Sequence, residues 1–326
     1  MRIGVIGGGA WGTALAHVAA AGGRESLLWA LEAEVVEAIN ARHENPLYLA
    51  GVRIDQAVRA TGDVDELSAC DALLVVVPAQ HLRAILGRLA RYDKPLVLCA
   101  KGIEESSGAL LHDVARQVCP NAPVAVLSGP TFANEVAMGL PTAVTIAAGD
   151  MALAEQLRTR LVSPAFRIYV SDDVVGAEIG GAVKNVLAIA CGVVEGKGLG
   201  QNARAALISR GFAEMTRFGL ACGARRETLA GLSGLGDLVL TCTSTSSRNY
   251  SLGKGLGEGR AAAELLADRR TVAEGAFTAP VLAKLARAKS VDMPIVAAVH
   301  ALIAGRAKDD QVLDELLSRP PRPEGV

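Results

Sequence analysis

The sequence predicts an α/β N-terminal domain with a mostly parallel sheet, followed by an all-α C-terminal domain. Two patterns carry that expectation. Up to about residue 170, short apolar runs alternate with segments of helical periodicity, the signature of βαβ units. From about Val174 the apolar pattern becomes long and helical, and strand-like runs nearly vanish. Length agrees, since 326 residues at ~150 per domain suggest two domains. The expected boundaries are 1–175 for the first domain and 176–318 for the second. The tail at 319–326 holds three prolines and is expected to fray.

In order, residues 2–6 read as a short buried strand, 11–21 as a helix, Ser26–Trp29 as a strand and Glu34–Asn40 as a helix. Ala72–Val77 is a third strand, ended by Pro78. Leu82–Arg91 is helical, Pro95–Ala100 a strand and Gly108–Val118 a helix. Val124–Leu127, Thr142–Ala147 and Phe166–Val170 complete the strands. These runs are continuously apolar, as strands are when both sheet faces are covered. Beyond them, helical patterns run over 176–195, 203–221, 261–267, 278–288 and 292–304.

Composition narrows the function. Hydrophobic residues make up 51% and charged residues 21%, which supports folded cores. Aromatics are only 3%, so Ala, Val, Leu and Ile must fill those cores, and a base-stacking surface is not expected. A net charge of -1 argues against a broad nucleic-acid footprint. Mean hydropathy is +0.32, yet no run of ~18 uncharged apolar residues is present, so no membrane span is expected. Met1–Ile6 runs straight into glycines and does not read as a signal peptide; a cytoplasmic location is expected. The nearest of the six cysteines are 20 residues apart, which reads as buried free thiols rather than a CxxC knuckle. The five histidines form no HExxH, and no metal site is expected.

The first chemical signal is Gly7-x-Gly9-x-x-Gly12, placed between a strand and a helix. Gly7 permits a tight turn, Gly9 lets backbone approach a pyrophosphate, and Gly12 lets helix and strand pack closely. The helix N-terminus then offers N–H groups to the anion. Glu32, 20 residues beyond Gly12, reads either as a ribose 2′-hydroxyl acceptor or as a solvated helix start.

Four further segments stand out. Lys101 directly follows a buried strand, at the end of the sheet where ligands bind in such folds. Ser128–Ala133 is a turn rich in small polar residues. Gly180-Gly181-Ala182-Val183-Lys184 sets a lysine in an apolar helix. Burying an ammonium is costly and lowers its pKa, which suits proton transfer. The glycines before it admit a cofactor or a neighbouring helix. Last, Gly234–Leu238 leads to a hydroxyl-rich run ending in Ser247-Arg248-Asn249, donors suited to a phosphate or, alternatively, a plain polar loop.

Taken together, these segments resemble the bacterial type of NAD(P)-dependent glycerol-3-phosphate dehydrogenase. The matching stretches are Gly7–Ala16, Lys101-Gly102, Ser128–Ala133, Gly181–Val186, Asn202–Arg204, Gly234–Thr243, Ser247–Asn249 and Val272–Gly275, in family order over almost the whole chain. The resemblance implies a Rossmann-like domain followed by an all-α domain like the C-terminal one of 6-phosphogluconate dehydrogenase. It implies reversible reduction of dihydroxyacetone phosphate to sn-glycerol 3-phosphate by NADH or NADPH, for glycerophospholipid synthesis. Lys184 matches the catalytic proton donor and acceptor. Lys101, Gly129, Thr131, Lys184, Asp237, Ser247, Arg248 and Asn249 match substrate positions, Arg248 as phosphate anchor. Gly7, Gly9, Ala10, Trp11, Gly12, Tyr48, Lys101, Ala133, Arg248, Val272 and Glu274 match cofactor positions. No metal is implied, and the apolar second half leaves room for a homodimer.

The chain departs from the family pattern at two places. Ala10 replaces the usual Ser, and Leu31 stands where Arg or His is common. Two other readings exist. A hydroxyacid or 6-phosphogluconate dehydrogenase relative would carry Asn one turn after the lysine, where this chain has Ala188. A dinucleotide sensor without turnover would lack the set Lys101, Lys184, Asp237 and Arg248.

Overall fold

The computed structural model describes residues 1–21, 23–267 and 273–307. The expected tail at 319–326 lies outside them. The chain divides into two compact units. One comprises Met1–Lys101 with Ala109–Ala177, the other Gly102–Gly108 with the chain from Glu178 onward.

The first unit carries strands β1 (Ile3–Ile6), β2 (Ser26–Trp29), β3 (Val58–Thr61), β4 (Ala72–Val75), β5 (Leu96–Leu98), β6 (Val124–Ser128), β7 (Thr142–Ala148) and β8 (Phe166–Ser171). They form one sheet in the order β3-β2-β1-β4-β5-β6-β7-β8. Only β6 and β7 run antiparallel; every other neighbouring pair is parallel. Helices α1 (Ala10–Ala20), α2 (Ala33–Arg42), α3 (Leu82–Arg88), α4 (Leu111–Val118), α5 (Ala133–Ala137) and α6 (Met151–Leu161) cover it. Side chains alternate across the pleat. Ile3 and Val5 of β1 and Leu74 of β4 pack with Leu15, Ile39 and Leu157 from α1, α2 and α6. Ile6, Leu73 and Val75 pack on the other face with Leu86 and Val114 from α3 and α4. Both faces are therefore apolar, which explains the unbroken Val-Leu-Ile runs.

Among the strands and α-helices of this unit, three were not expected. β3 reads Val-Arg-Ala-Thr and is too short and polar to stand out. It exists because β2 needs a partner, which it finds in the register Ser26↔Val58 to Trp29↔Thr61. α5 has only five residues. α6 is started by Asp150, whose carboxylate accepts the Ala152 N–H at 2.9 Å, a capping signal the sequence reading passed over.

The second unit is helical: α7 (Val174–Gly196), α8 (Gly200–Ala221), α9 (Arg226–Ala230), a π turn at Leu232–Gly236, α10 (Asp237–Cys242), α11 (Arg248–Gly257), α12 (Ala262–Leu265), α13 (Glu274–Ala288) and α14 (Pro294–Ile303). α7 is 23 residues long and apolar enough to span a membrane by length and hydropathy. However, 94% of its most apolar window is buried within the protein, so it is a core helix. α7 and α11 meet backbone to backbone. A Cβ on Gly253 would lie 1.9 Å from the Ile189 oxygen, one on Gly192 2.1 Å from the Tyr250 oxygen, and one on Gly257 2.4 Å from the Val193 oxygen. The hydroxyl-rich run, read as a possible loop, is only partly one. Thr241 and Cys242 end α10, and Arg248 starts α11.

Candidate functional site

In the first unit the site starts where β1 ends. Gly7 has φ +124° and donates its N–H to the Trp29 carbonyl at 3.0 Å. A Cβ on Gly12 would sit 1.8 Å from the Gly7 oxygen, so α1 can leave the strand this closely only with glycine there. A Cβ on Gly8 would meet that of Ala30 at 2.4 Å, whereas one on Gly9 would meet nothing within 4 Å. Gly9 thus faces open space. It is also the N-cap of α1 and brings no side chain to cap it, so the first N–H groups of the helix await an acceptor. Ala10 and Trp11 open the helix and are half-buried.

Asn45, fully buried, ties a distant loop to this turn. Its Nδ2 donates to the Gly8 oxygen and to Thr13 Oγ1, both at 2.8 Å, and its Oδ1 accepts the Tyr48 N–H at 3.2 Å. The Tyr48 hydroxyl donates to Glu32 Oε1 at 2.8 Å. Sequence reasoning named Tyr48 and Glu32 separately and missed Asn45. A lone Asn followed by proline looks like any turn.

The same end of the sheet gathers a second group. Lys101, just past β5, donates from Nζ to the Gly129 oxygen at 3.2 Å, and Thr131 Oγ1 donates to the same oxygen at 3.3 Å. Gly129 has φ +153°, and a Cβ there would lie 2.9 Å from the Val144 backbone, so the turn after β6 requires glycine. Ala133 is the first residue of α5. The Gly7–Gly12 turn, Lys101 and the Gly129–Ala133 turn follow the carboxyl ends of β1, β5 and β6, which is where open α/β sheets bind ligands.

In the second unit, Lys184 lies buried midway along α7. Its Nζ donates to Asp237 Oδ1 and to Thr241 Oγ1, both at 2.7 Å. Asp237, at 0% exposure, and Thr241 share one face of α10, where the Thr241 hydroxyl also lies 3.3 Å from Asp237 Oδ1. The buried ammonium is thereby charge-balanced and held in direction. The glycine before it serves a neighbouring backbone. A Cβ on Gly180 would stand 2.3 Å from the Ser233 oxygen, so α7 is pressed against the π turn that delivers Asp237. Cys242 lies beside this pair, its thiol pushed up by burial and next by its hydrogen bond with Cys191.

α11 carries the next predicted group. Ser247 is its N-cap, its Oγ accepting the Tyr250 N–H at 3.2 Å. Arg248 is exposed, and its guanidinium makes no hydrogen bond or ion pair to the described residues. Asn249 turns inward. Its Nδ2 donates to Asn185 Oδ1 at 3.0 Å and its Oδ1 accepts the Gly275 N–H at 2.9 Å, linking α7, α11 and α13. Glu274 opens α13 and is half-buried; Val272 lies outside the described residues. Sequence reasoning did not find Thr241 as a partner of Lys184. It also missed the cluster in which Tyr250 and Arg204 both donate to Glu195 Oε2 at 3.1 Å and Arg204 donates to the Tyr250 hydroxyl at 2.9 Å. No spacing signal exists for contacts 46 and 57 residues apart.

Comparison with known proteins identifies the family of both parts of the chain. Residues 2–154 fit the profile described as NAD-dependent glycerol-3-phosphate dehydrogenase N-terminus, and residues 173–314 fit the corresponding C-terminus. A glycerol-3-phosphate dehydrogenase (NAD(P)+) of Erythrobacter litoralis is 64% identical over 323 residues, covering 99% of this chain and 98% of the relative. One from Sphingopyxis alaskensis is 62% identical over 324 residues, covering 99% and 98%. The crystal structure of the Coxiella burnetii glycerol-3-phosphate dehydrogenase superposes with a TM-score of 0.93 at 38% identity, covering 98% of this chain and 99% of that one. With both parts matched in order along the chain, this protein belongs to the NAD-dependent glycerol-3-phosphate dehydrogenase family.

Proposed function

We propose that the protein catalyses the NAD(P)H-dependent, reversible reduction of dihydroxyacetone phosphate to sn-glycerol 3-phosphate, with Lys184 as the proton donor. The observation that carries this reading is the buried Lys184–Asp237–Thr241 cluster, in which an ammonium is directed by two partners at 2.7 Å.

The first unit fits a dinucleotide. The open face of Gly9, the uncapped start of α1 and the close Gly7–Gly12 contact form a cradle; a Cβ at position 9 would project into its open side, and one at position 12 would push α1 off the turn. Gly7, Gly9, Ala10, Trp11 and Gly12 would hold the pyrophosphate end, with Tyr48, Lys101, Ala133, Arg248, Val272 and Glu274 as further contacts from the family resemblance. When bound, the nicotinamide supplies the hydride, and takes it back in the reverse direction.

The remaining work falls to side chains of this chain. As the substrate ketone is reduced, negative charge grows on its oxygen. Lys184 stabilises that charge and delivers the proton. Asp237 and Thr241 accept hydrogen bonds from the lysine, which supports a role for Asp237 in orienting Lys184. Arg248, exposed and without a partner among the described residues, anchors the phosphate, with Ser247 and the N-terminus of α11 as further donors. Lys101, Gly129, Thr131 and Asn249 complete the proposed substrate set. The same reading places the enzyme in the cytoplasm, supplying the backbone of glycerophospholipids.

The test is the loss of reduced-nicotinamide absorbance on adding dihydroxyacetone phosphate. Turnover is expected in the wild type, with a loss of ~10²-fold or more in Lys184→Ala. Cofactor binding without turnover on this substrate would overturn the assignment.

A further inference from the structure

The names of the relatives cover both dinucleotides, and the surroundings of Glu32 bear on which of them this protein takes. Glu32 follows β2 by three residues and is the N-cap of α2, beside the glycine turn. The neighbourhood is fixed on two sides. Gly7 donates to Trp29 at the end of β2, and Gly8 packs against Ala30 so closely that a Cβ there would clash at 2.4 Å. On the other side the loop bearing Tyr48 is pinned to Gly8 and Thr13 by Asn45. The Tyr48 hydroxyl then donates to Glu32 Oε1 at 2.8 Å, holding the carboxylate in one direction. Its other oxygen takes no hydrogen bond from the described residues.

From this geometry we infer that Glu32, positioned by Tyr48, makes the protein select NAD(H) over NADP(H) by accepting the 2′-hydroxyl of the adenosine ribose. This rests on the reading that the Gly7–Gly12 turn takes the pyrophosphate. A carboxylate after the second strand of such a domain is suited to a ribose hydroxyl, which donates to it. A 2′-phosphate has no hydroxyl proton to give there and carries ≈ −1.5 to −2 charges at neutral pH, so the two anions repel. A protein that takes the phosphate needs a cation at this place. Here Leu31 stands out into solvent at 80% exposure, while Arg42 at the end of α2 pairs with Glu44 at 2.6 Å and Arg59 of β3 with Glu66 at 3.1 Å. Glu32 thus acts as both acceptor and charge barrier, and Tyr48 is its positioning residue.

The experiment measures binding, not turnover. NADH and NADPH are titrated into the protein and dissociation constants read from nicotinamide fluorescence, with ADP-ribose and 2′-phospho-ADP-ribose as competitors that lack the nicotinamide. NADH is expected to bind at least ~10-fold more tightly than NADPH, and the two competitors to keep the same order. Glu32→Gln, which removes the charge but keeps an amide for Tyr48, is expected to shrink the ratio to within about threefold, chiefly by tightening NADPH. Tyr48→Phe is expected to weaken NADH and narrow the ratio less. Should Glu32→Gln fail to fold, this variant still tests the pair. Equal or inverted affinities in the wild type, or a ratio that Glu32→Gln does not change, would overturn the inference while leaving the cofactor turn in place. If ADP-ribose does not displace NADH, the reading of the glycine turn falls with it.

Discussion

At position 184 a charged side chain interrupts an apolar helix, and what it meets there decides its use. Its partners, Asp237 and Thr241, come from one short helix and aim the ammonium rather than merely neutralise it. Thr241→Val removes one of these bonds and is expected to lower kcat about five- to tenfold with KM little changed, measured by steady-state kinetics at saturating cofactor. Arg248→Ala is expected to act the other way, raising KM for the phosphorylated substrate about 10–100-fold, because the charge-assisted contact proposed for it would be lost. A different buried charge concerns stability. Glu214 on α8 accepts the N–H groups of Ile295 and Val296 at 2.8 and 3.3 Å, capping the start of α14 from outside it. Burial pushes its carboxyl from 4.5 up to about 7, against the pull of those N–H bonds and of Arg217. A raised folded-state pKa means that the folded protein holds the proton more tightly. The stabilisation is complete below the unfolded value and is lost as pH rises through about 7. The melting temperature should therefore contain a component that falls between those values. In Glu214→Gln that component should disappear.

At the scale of elements, glycine sets how closely helices approach. α7 and α11 touch through Gly192, Gly253 and Gly257, which brings the helix bearing Lys184 against the helix that starts at Arg248. Gly253→Ala places a methyl 1.9 Å from a backbone oxygen, and neither helix can move it aside as a flexible side chain would. We expect a cost of about 2 kcal/mol or more in chemical denaturation, with activity reduced because α11 shifts. Gly87 in α3 supplies the contrast. A Cβ there meets nothing within 4 Å, so Gly87→Ala is expected to stabilise by about 0.5–1 kcal/mol through the unfolded chain alone. The sequence reading noticed the glycines before Lys184 and could not say whether a cofactor or a helix used them. Gly180 answers with a π turn, because the chain 53 residues on returns to that spot.

At the scale of the whole molecule, each unit carries its own part of the chemistry on its own scaffold. In the first, the turns proposed to bind ligand all follow the carboxyl ends of parallel strands. In the second, α7, α10, α11 and α13 converge on Lys184 and Asn249. If the proposed cradle takes the dinucleotide, NADH at a hundredfold excess over Kd should add about 2.7 kcal/mol to the stability of the first unit. Calorimetry with and without the dinucleotide checks this, and an unchanged transition would contradict the cradle at Gly7–Gly12.

The sequence by itself determined the fold class, most strand positions, the glycine turn and the lysine in the helix. Each of these is written in local patterns: continuous apolar runs, helical period, and glycines where backbone must turn or approach. Family resemblance added the order of motifs and the reaction. Tertiary structure alone decided the partnerships: Asp237 and Thr241 on Lys184, Asn249 between Asn185 and Gly275, Asn45 beneath the turn, and Tyr48 on Glu32. Even β3 belongs here, since a short Val-Arg-Ala-Thr run becomes a strand only when β2 offers it an edge. These contacts join residues that lie tens of positions apart, where spacing carries no signal. They form because burying a polar group without a partner is costly, and only the packed chain shows which partner is within reach.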